Sequence, residues 1–263
     1  MVLAVDIGNS NIVLSVFIQN EWKHTFRYET KGIREEMYYE MALRQILMEW
    51  DIHYSDIKYT VISSVVPDLN QSVKEAVSKV FLCPVILLSP EILKNLDIFI
   101  PLPYEIGSDL VANVYAALQL YHDKVIVADF GTALSFVVAN NKDGILGVTI
   151  APGLKTAAQA LGSQTAQLPV VPLVYPDSPI GKDTVTAIQA GIMVGYTGLF
   201  SEIIHEMKKV TGEDYKVIVT GGHSGIISRI HEKADYIDKN LTLEGIRLIA
   251  AYIFEKRSDL LNS

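Results

Sequence analysis

The chain of 263 residues holds one cysteine, Cys83, so no internal disulfide can form. That thiol precedes Pro84 between apolar residues, a setting for a small buried hydrophobe rather than a nucleophile. Positive charge is also scarce: 22 Lys and Arg stand against 30 Asp and Glu, a formal net charge of −8. No cationic run exceeds Lys208-Lys209. That argues against nucleic acid as a partner, since binding its phosphates takes clustered cations. No uninterrupted apolar stretch reaches the ~18 residues of a membrane span. The opening residues Met1 to Asp6 lack the basic stretch of a signal peptide. A cytoplasmic protein with no membrane partner is expected. Neither a Walker A sequence nor Gly-x-Gly-x-x-Gly occurs, which excludes P-loop and Rossmann nucleotide sites. Any phosphate bound here must be met largely by backbone amides and metal ions.

What the chain does have is a repeat. Val2-Leu3-Ala4-Val5 is an apolar run that ends in Asp6-Ile7-Gly8-Asn9-Ser10. Val125-Ile126-Val127-Ala128 is another, ending in Asp129-Phe130-Gly131-Thr132-Ala133. Each reads as a buried strand delivering a carboxylate, a glycine and then a small polar residue. Two further strands follow each copy: Ile12 to Ile18 and Glu21 to Tyr28 around Gln19-Asn20, then Leu134 to Ala139 and Ile145 to Ile150 around Asn140 to Gly144. Each half therefore opens on a three-strand meander.

Helices and strands then alternate. The spacing of Met37, Met41, Leu43 and Leu47 predicts a helix over Glu35 to Trp50. Tyr59 to Ser63, Val85 to Leu88 and Lys216 to Val219 read as strands. Leu69 to Phe81, a segment from about Ser108, Thr184 to Lys209, Ser224 to Ile230 and Leu243 to Phe254 read as helices. This is an α/β chain built as a duplicated ribonuclease-H-like fold, the plan of actin and hexokinase, with a nucleotide cleft between the halves. The boundary is expected near Tyr121 to Lys124, giving halves of residues 1–121 and 122–263.

The first loop, Asp6 to Asn11, can turn tightly at Gly8 and offer amides, Asn9 and Ser10 to phosphate oxygens. Asp6 repels phosphate directly and suits a hydrated Mg²⁺ that bridges phosphates. A plain Asx-Gly hairpin explains the same residues, and the second copy is what favours phosphate. There the Thr132 hydroxyl can donate to a phosphate oxygen, and Asp129 can coordinate a cation. Gly221 and Gly222, after a strand, let a flat adenine approach backbone, though a simple strand-to-helix turn would need them too. Gly107-Ser108-Asp109 introduces a helix. Its carboxylate is either a helix N-terminal acid or a base for an attacking hydroxyl.

Taken in order, these motifs resemble the type III pantothenate kinase family over essentially the full chain. The similar runs are Asp6-Ile7-Gly8-Asn9-Ser10-Asn11, Ser63-Ser64-Val65-Val66-Pro67, Gly107-Ser108-Asp109, Asp129-Phe130-Gly131-Thr132-Ala133, Ile150-Ala151-Pro152-Gly153, Ile180-Gly181-Lys182-Asp183-Thr184 and Val219-Thr220-Gly221-Gly222. Leu241 to Gly245 closes the series. The resemblance implies ATP-dependent phosphorylation of pantothenate, the first step of coenzyme A biosynthesis. It implies Asp109 as the base, with Gly107 and Ser108 at the acceptor. It places Asp6 and Thr132 at the ATP phosphates with Mg²⁺, Asp129 at a monovalent cation (K⁺ or NH₄⁺), and Gly221 and Gly222 at the adenosine. It also implies a homodimer in which Thr184 reaches the partner's acceptor site, with Gly191, Gly195 and Gly198 at a close helix approach.

Four positions depart from the family pattern. Leu110 stands where an Arg usually follows Asp109, and Ile100 where a Tyr is common. Asp183 replaces an Asn, and Leu146 a Gly. Tyr104, Lys155 and Lys182 are candidate substitutes for the missing cation. The alternatives are a same-fold kinase for another small hydroxyl compound, and a non-catalytic nucleotide-binding regulator.

Overall fold

The computed structural model describes residues 1–30, 32, 35–165, 167–212, 214–225 and 233–256. Strands β1 (Val2–Ile7), β2 (Asn11–Ile18) and β3 (Glu21–Glu29) form the first meander. Gln19 and Asn20 both take positive φ, 49° and 66°. That left-handed pair matches the twist of the two strands they join. After helix α1 (Glu36–Trp50), strand β4 (Tyr59–Ser64) pairs parallel to β1, with Asp6 opposite Ser63. Helix α2 (Pro67–Phe81) leads to β5 (Val85–Leu87) and the one-turn helix α3 (Pro90–Leu93), and the sheet order is β3-β2-β1-β4-β5.

Alternation along β1 sends Leu3, Val5 and Ile7 to one face, where α1 and α2 cover them. The covering residues recur at helical spacing: Tyr39, Leu43 and Ile46 on α1, and Leu69, Val73, Val77 and Val80 on α2. Each such side chain, fully buried, contributes roughly 1.5–3 kcal/mol. Met37 and Met41, expected on this face, point to solvent instead at 70% and 67% exposure. The stripe that starts at Tyr39 is the one in register with the sheet.

The second sheet repeats the plan. β6 (Lys124–Phe130), β7 (Ala133–Asn140) and β8 (Gly144–Pro152) form its meander, and β9 (Lys216–Thr220) pairs parallel to β6. A two-residue strand β10 (Tyr236–Ile237) completes the order β10-β9-β6-β7-β8. Helices α5 (Leu154–Gln164) and α6 (Thr184–Thr211) cover it. Met193 and Phe200 of α6 are fully buried, and Phe200 lies 5.8 Å from Phe130 and 6.0 Å from Phe136. By length and composition α6 could cross a membrane. These buried contacts make it the core helix of its own unit.

Sequence places residues 122–263 together, but the packing divides the chain differently. One unit comprises Met1–Ala116 with the segment from Thr242, and the other Ala117–Leu241. Helix α7 (Leu241–Lys256) therefore joins the first sheet's unit. Its Gly245 lies flush on the Ala112 backbone of α4 (Ser108–Leu120). Thr242 Oγ1 donates to Asn113 Oδ1 at 2.8 Å, and Trp22 Nε1 to Glu244 Oε1 at 2.8 Å. Arg247 stacks over Phe17 at 4.4 Å. Helical periodicity marks the helix without saying which sheet it covers. Sequence also misses α5, whose only buried side chains are Leu154 and Ala158, too thin a stripe to register. The helix expected over Ser224 to Ile230 lies largely outside the described residues.

Candidate active site

In the first unit, the carboxyl ends of the parallel strands β1 and β4 gather the site residues. β1 delivers Asp6, and the loop beyond it closes through Gly8 N–H to the Asn11 carbonyl at 2.9 Å. Asn9 and Ser10 stand exposed at its tip, with Gly8 and Asn11 half-buried beside them. Thr30, just past β3, holds this loop twice: its N–H donates to Ser10 O at 2.9 Å, and its hydroxyl to Gly8 O at 2.8 Å.

The start of α4 is tied to the same edge. Ser108 Oγ accepts from Ser64 N–H at 3.0 Å, lies 2.9 Å from Ser63 Oγ, and donates to Ser64 O at 3.2 Å. A buried hydroxyl so engaged positions the helix, which explains the Ser63-Ser64 pair. Asp109 follows as the first-turn carboxylate, its Oδ1 accepting from Leu110 N–H at 2.8 Å. A Cβ at Gly107 would overlap that same Oδ1, so only glycine leaves the carboxylate its place. Part of Asp109 still meets solvent. Even so, desolvation raises its pKa above the ordinary 3.8, and backbone N–H bonds from Leu110 and Asp109 offset only part of the rise. A carboxyl destabilised as an anion is the kind that accepts a proton readily.

In the second unit, β6 delivers Asp129 opposite Ser135 on one side and Thr220 on the other. The next turn closes through Gly131 N–H to Ala133 O at 3.0 Å. The Thr132 carbonyl accepts from Gly153 N–H at 3.0 Å and from the Thr156 hydroxyl at 2.7 Å, both at the start of α5. Gly221 has φ +95°, and a Cβ there would overlap Asp129 Oδ1 and the Phe130 backbone. Backbone can approach the carboxylate this closely only without a side chain. The turn is fastened by His223 N–H to Phe130 O at 3.1 Å and by the Ser224 hydroxyl to Gly221 O at 2.7 Å. Gly222 sits exposed between them. Two buried atoms beside this loop, Thr220 Oγ1 and His223 Nδ1, have no hydrogen-bond partner among the described residues.

The family scan and a curated relative decide the family. The type III pantothenate kinase model matches residues 2–206. A type III pantothenate kinase of Geobacillus kaustophilus is 36% identical over 257 residues, covering 98% of this chain and 100% of the relative. This chain belongs to the type III pantothenate kinase family. Two solved structures share its fold at low identity. One is the ethanolamine utilization protein EutJ of Carboxydothermus hydrogenoformans, with TM-score 0.56 and 15% identity over 94% of this chain and 89% of that one. The other is the ADPNP-bound activator of 2-hydroxyisocaproyl-CoA dehydratase from Clostridium difficile, at 0.52 and 12%, covering 99% and 97%.

Within each unit motif residues lie near one another: Asp6 to Asn11 and Gly107 to Asp109 at the β1–β4 edge, and Asp129 to Thr132 beside Gly221 and Gly222. Thr184 stands apart, exposed at the start of α6. The Asp183 departure is local, since its carboxylate accepts from Thr186 N–H at 2.8 Å as a helix N-cap that Asn would serve equally. Leu146 lies 46% exposed on β8. Ile100 is buried at 6% exposure and presents almost nothing to a ligand. Sequence reasoning missed Thr30 and Thr156, which lie outside the quoted motifs. An apolar hollow of about 480 Å³ between β8 and the far half of α6, lined by Leu146, Val148, Met207 and Val210, contains none of the site residues.

Proposed function

We propose that this chain transfers the γ-phosphoryl group of ATP to the primary hydroxyl of pantothenate, giving 4'-phosphopantothenate and ADP. The observation that carries this reading is Asp109, a desolvated carboxyl fixed at the strand edge that also bears the Asp6 loop. Asp109 accepts the hydroxyl proton as the oxygen attacks phosphorus, and the bond from γ-phosphorus to the bridging oxygen of ADP breaks. Amides of the Asp6 loop, with Asn9 and Ser10, meet phosphate oxygens. The Thr132 hydroxyl donates to another, and Gly221 and Gly222 border the adenosine.

No cluster of three or more His, Cys, Asp or Glu suited to a metal occurs among the described residues. A divalent ion held by protein alone does not fit. One held by phosphates, with Asp6 as a single anchor, does, and Mg²⁺ would supply charge neutralisation there. At Asp129 the neighbouring Thr220 hydroxyl is buried and has no hydrogen-bond partner among the described residues. Oxygen donors of that kind fit a monovalent cation such as K⁺.

A cytoplasmic homodimer is part of this reading. At Gly191, Gly195 and Gly198 an added Cβ would meet nothing within 4 Å among the described residues. Each glycine costs ~1 kcal/mol in a helix interior, and its own unit supplies no packing reason for it. A second copy would, with Thr184 reaching that copy's acceptor. ATP consumption with pantothenate, pantetheine and neutral alcohols tests the acceptor. Phosphopantothenate formation is expected. Phosphorylation of a neutral alcohol but not of pantothenate would overturn the assignment, and ATP binding without turnover on any acceptor would favour the regulator.

A further inference from the structure

Thr30 and Thr156 lie in different units and outside every quoted motif, yet they make the same contact. The Thr30 hydroxyl donates to Gly8 O at 2.8 Å, two residues past Asp6. The Thr156 hydroxyl donates to Thr132 O at 2.7 Å, three residues past Asp129. A backbone N–H reinforces each: Thr30 N–H on Ser10 O at 2.9 Å, and Gly153 N–H on Thr132 O at 3.0 Å. In a trans peptide the C=O and the following N–H point in opposite directions. Holding the Gly8 carbonyl against Thr30 therefore turns the Asn9 amide the other way, toward the exposed tip of the loop. Holding the Thr132 carbonyl against α5 turns the Ala133 amide away from α5. An anion is attracted to N–H groups and repelled by carbonyl oxygens, so which way these peptides face decides whether a loop can receive phosphate. Glycine-containing loops flip their peptides easily, and a hydroxyl clamp on the carbonyl removes that freedom.

We propose that Thr30 and Thr156 are positioning residues that fix the peptide orientation of the two loops and so set the affinity for the polyphosphate of the nucleotide. This rests on the reading of both loops as phosphate sites. Neither threonine touches the reacting atoms. Both threonines follow the third strand of their meander, Thr30 directly past β3 and Thr156 in the first turn of α5 past β8, so the repeated plan brings a hydroxyl to the same kind of loop carbonyl in each unit.

The test compares ATP with adenosine. Thr30→Val and Thr156→Val keep side-chain shape and remove the hydroxyl, while Thr30→Ser and Thr156→Ser keep it. Each valine variant is expected to weaken ATP binding ~5–10-fold, as loss of one hydrogen bond allows. Adenosine affinity and the KM for pantothenate should not move, and the serine variants should bind ATP as the parent does. Thr156 is exposed, so its valine variant tests the idea even if Thr30→Val folds poorly. A parent protein that prefers ATP to adenosine, with valine variants that keep that preference unchanged, would overturn the positioning role alone. A parent that binds ATP and adenosine equally would overturn both this role and the phosphate loops themselves. Equal loss of ATP, adenosine and pantothenate affinity in the valine variants would reduce the two threonines to general structural residues.

Discussion

A Cβ added at Gly8 would lie 3.2 Å from the Asn11 carbonyl oxygen, while one added at Gly221 would overlap both Asp129 and the Phe130 backbone. The first loop is a hairpin tip held from one side by Thr30. The second is wedged between α5 and the Gly221–Ser224 turn. Asp109, the proposed base, lies in the first unit at the start of α4, while the carboxylate beside the second loop, Asp129, packs under Gly221. On the proposed reading the proton chemistry belongs to the first unit, while each unit supplies a phosphate loop. The two roles should come apart as separate losses: turnover at Asp109, nucleotide affinity at the loops of both units.

The largest effect belongs to the first unit. Asp109→Asn should lower kcat by ~10²-fold or more, with the Kd for ATP nearly unchanged. Near-normal turnover would remove Asp109 from the mechanism, and lost ATP affinity would erase the division itself. The same variant should melt at a higher temperature than the parent near neutral pH. Burial raises the Asp109 pKa in the folded protein, so its contribution to stability is full below the unfolded value and is lost as pH rises through the folded one. The gap between the two melting curves should therefore close as pH falls toward 3.8, the carboxyl's ordinary value. Equal melting temperatures at pH 7 would show that the carboxylate carries no desolvation burden.

The second unit should answer next. Gly221→Ala forces a side chain into φ +95° and into the Phe130 backbone. A loss of ATP affinity of about tenfold or more is expected, together with a lower melting temperature. Gly8→Ala, facing only a 3.2 Å contact that a small shift relieves, should cost about threefold or less. Calorimetric titration of both variants checks the pair. Equal losses would mean that the two loops are equally rigid.

Much of this division was legible in sequence and part was not. The paired Asp-x-Gly signals and the alternating runs before them located both sheets, because strand period and turn residues are local properties. The ordered motifs located the site residues for the same reason. The placement of α7 was not legible, since Gly245 on Ala112 and Trp22 on Glu244 join segments more than a hundred residues apart. Thr30 and Thr156 were invisible too. A threonine hydroxyl on a loop carbonyl leaves no periodicity, and only coordinates show which carbonyl it reaches.

The smallest expected effect probes the acceptor side of the first unit, where Leu110 stands half-buried beside the base. Of the departures at Ile100 and Leu110, Ile100 is buried in the core, which leaves Leu110 as the one beside Asp109. Pantothenate is an anion, and a cation beside its carboxylate would supply a charge-assisted hydrogen bond. Leu110→Arg should lower the KM for pantothenate several-fold while leaving the KM for ATP unmoved, because Leu110 lies on α4 and in neither phosphate loop. A guanidinium this close also favours ionised Asp109, so the acid limb of the kcat profile should move to lower pH. If the site has been reshaped for a neutral acceptor, the new charge lacks a counter-ion. The variant would then lose stability, and its KM for pantothenate would not improve. A rise in KM for ATP alone would contradict that separation, since it would place Leu110 at the nucleotide rather than at the acceptor.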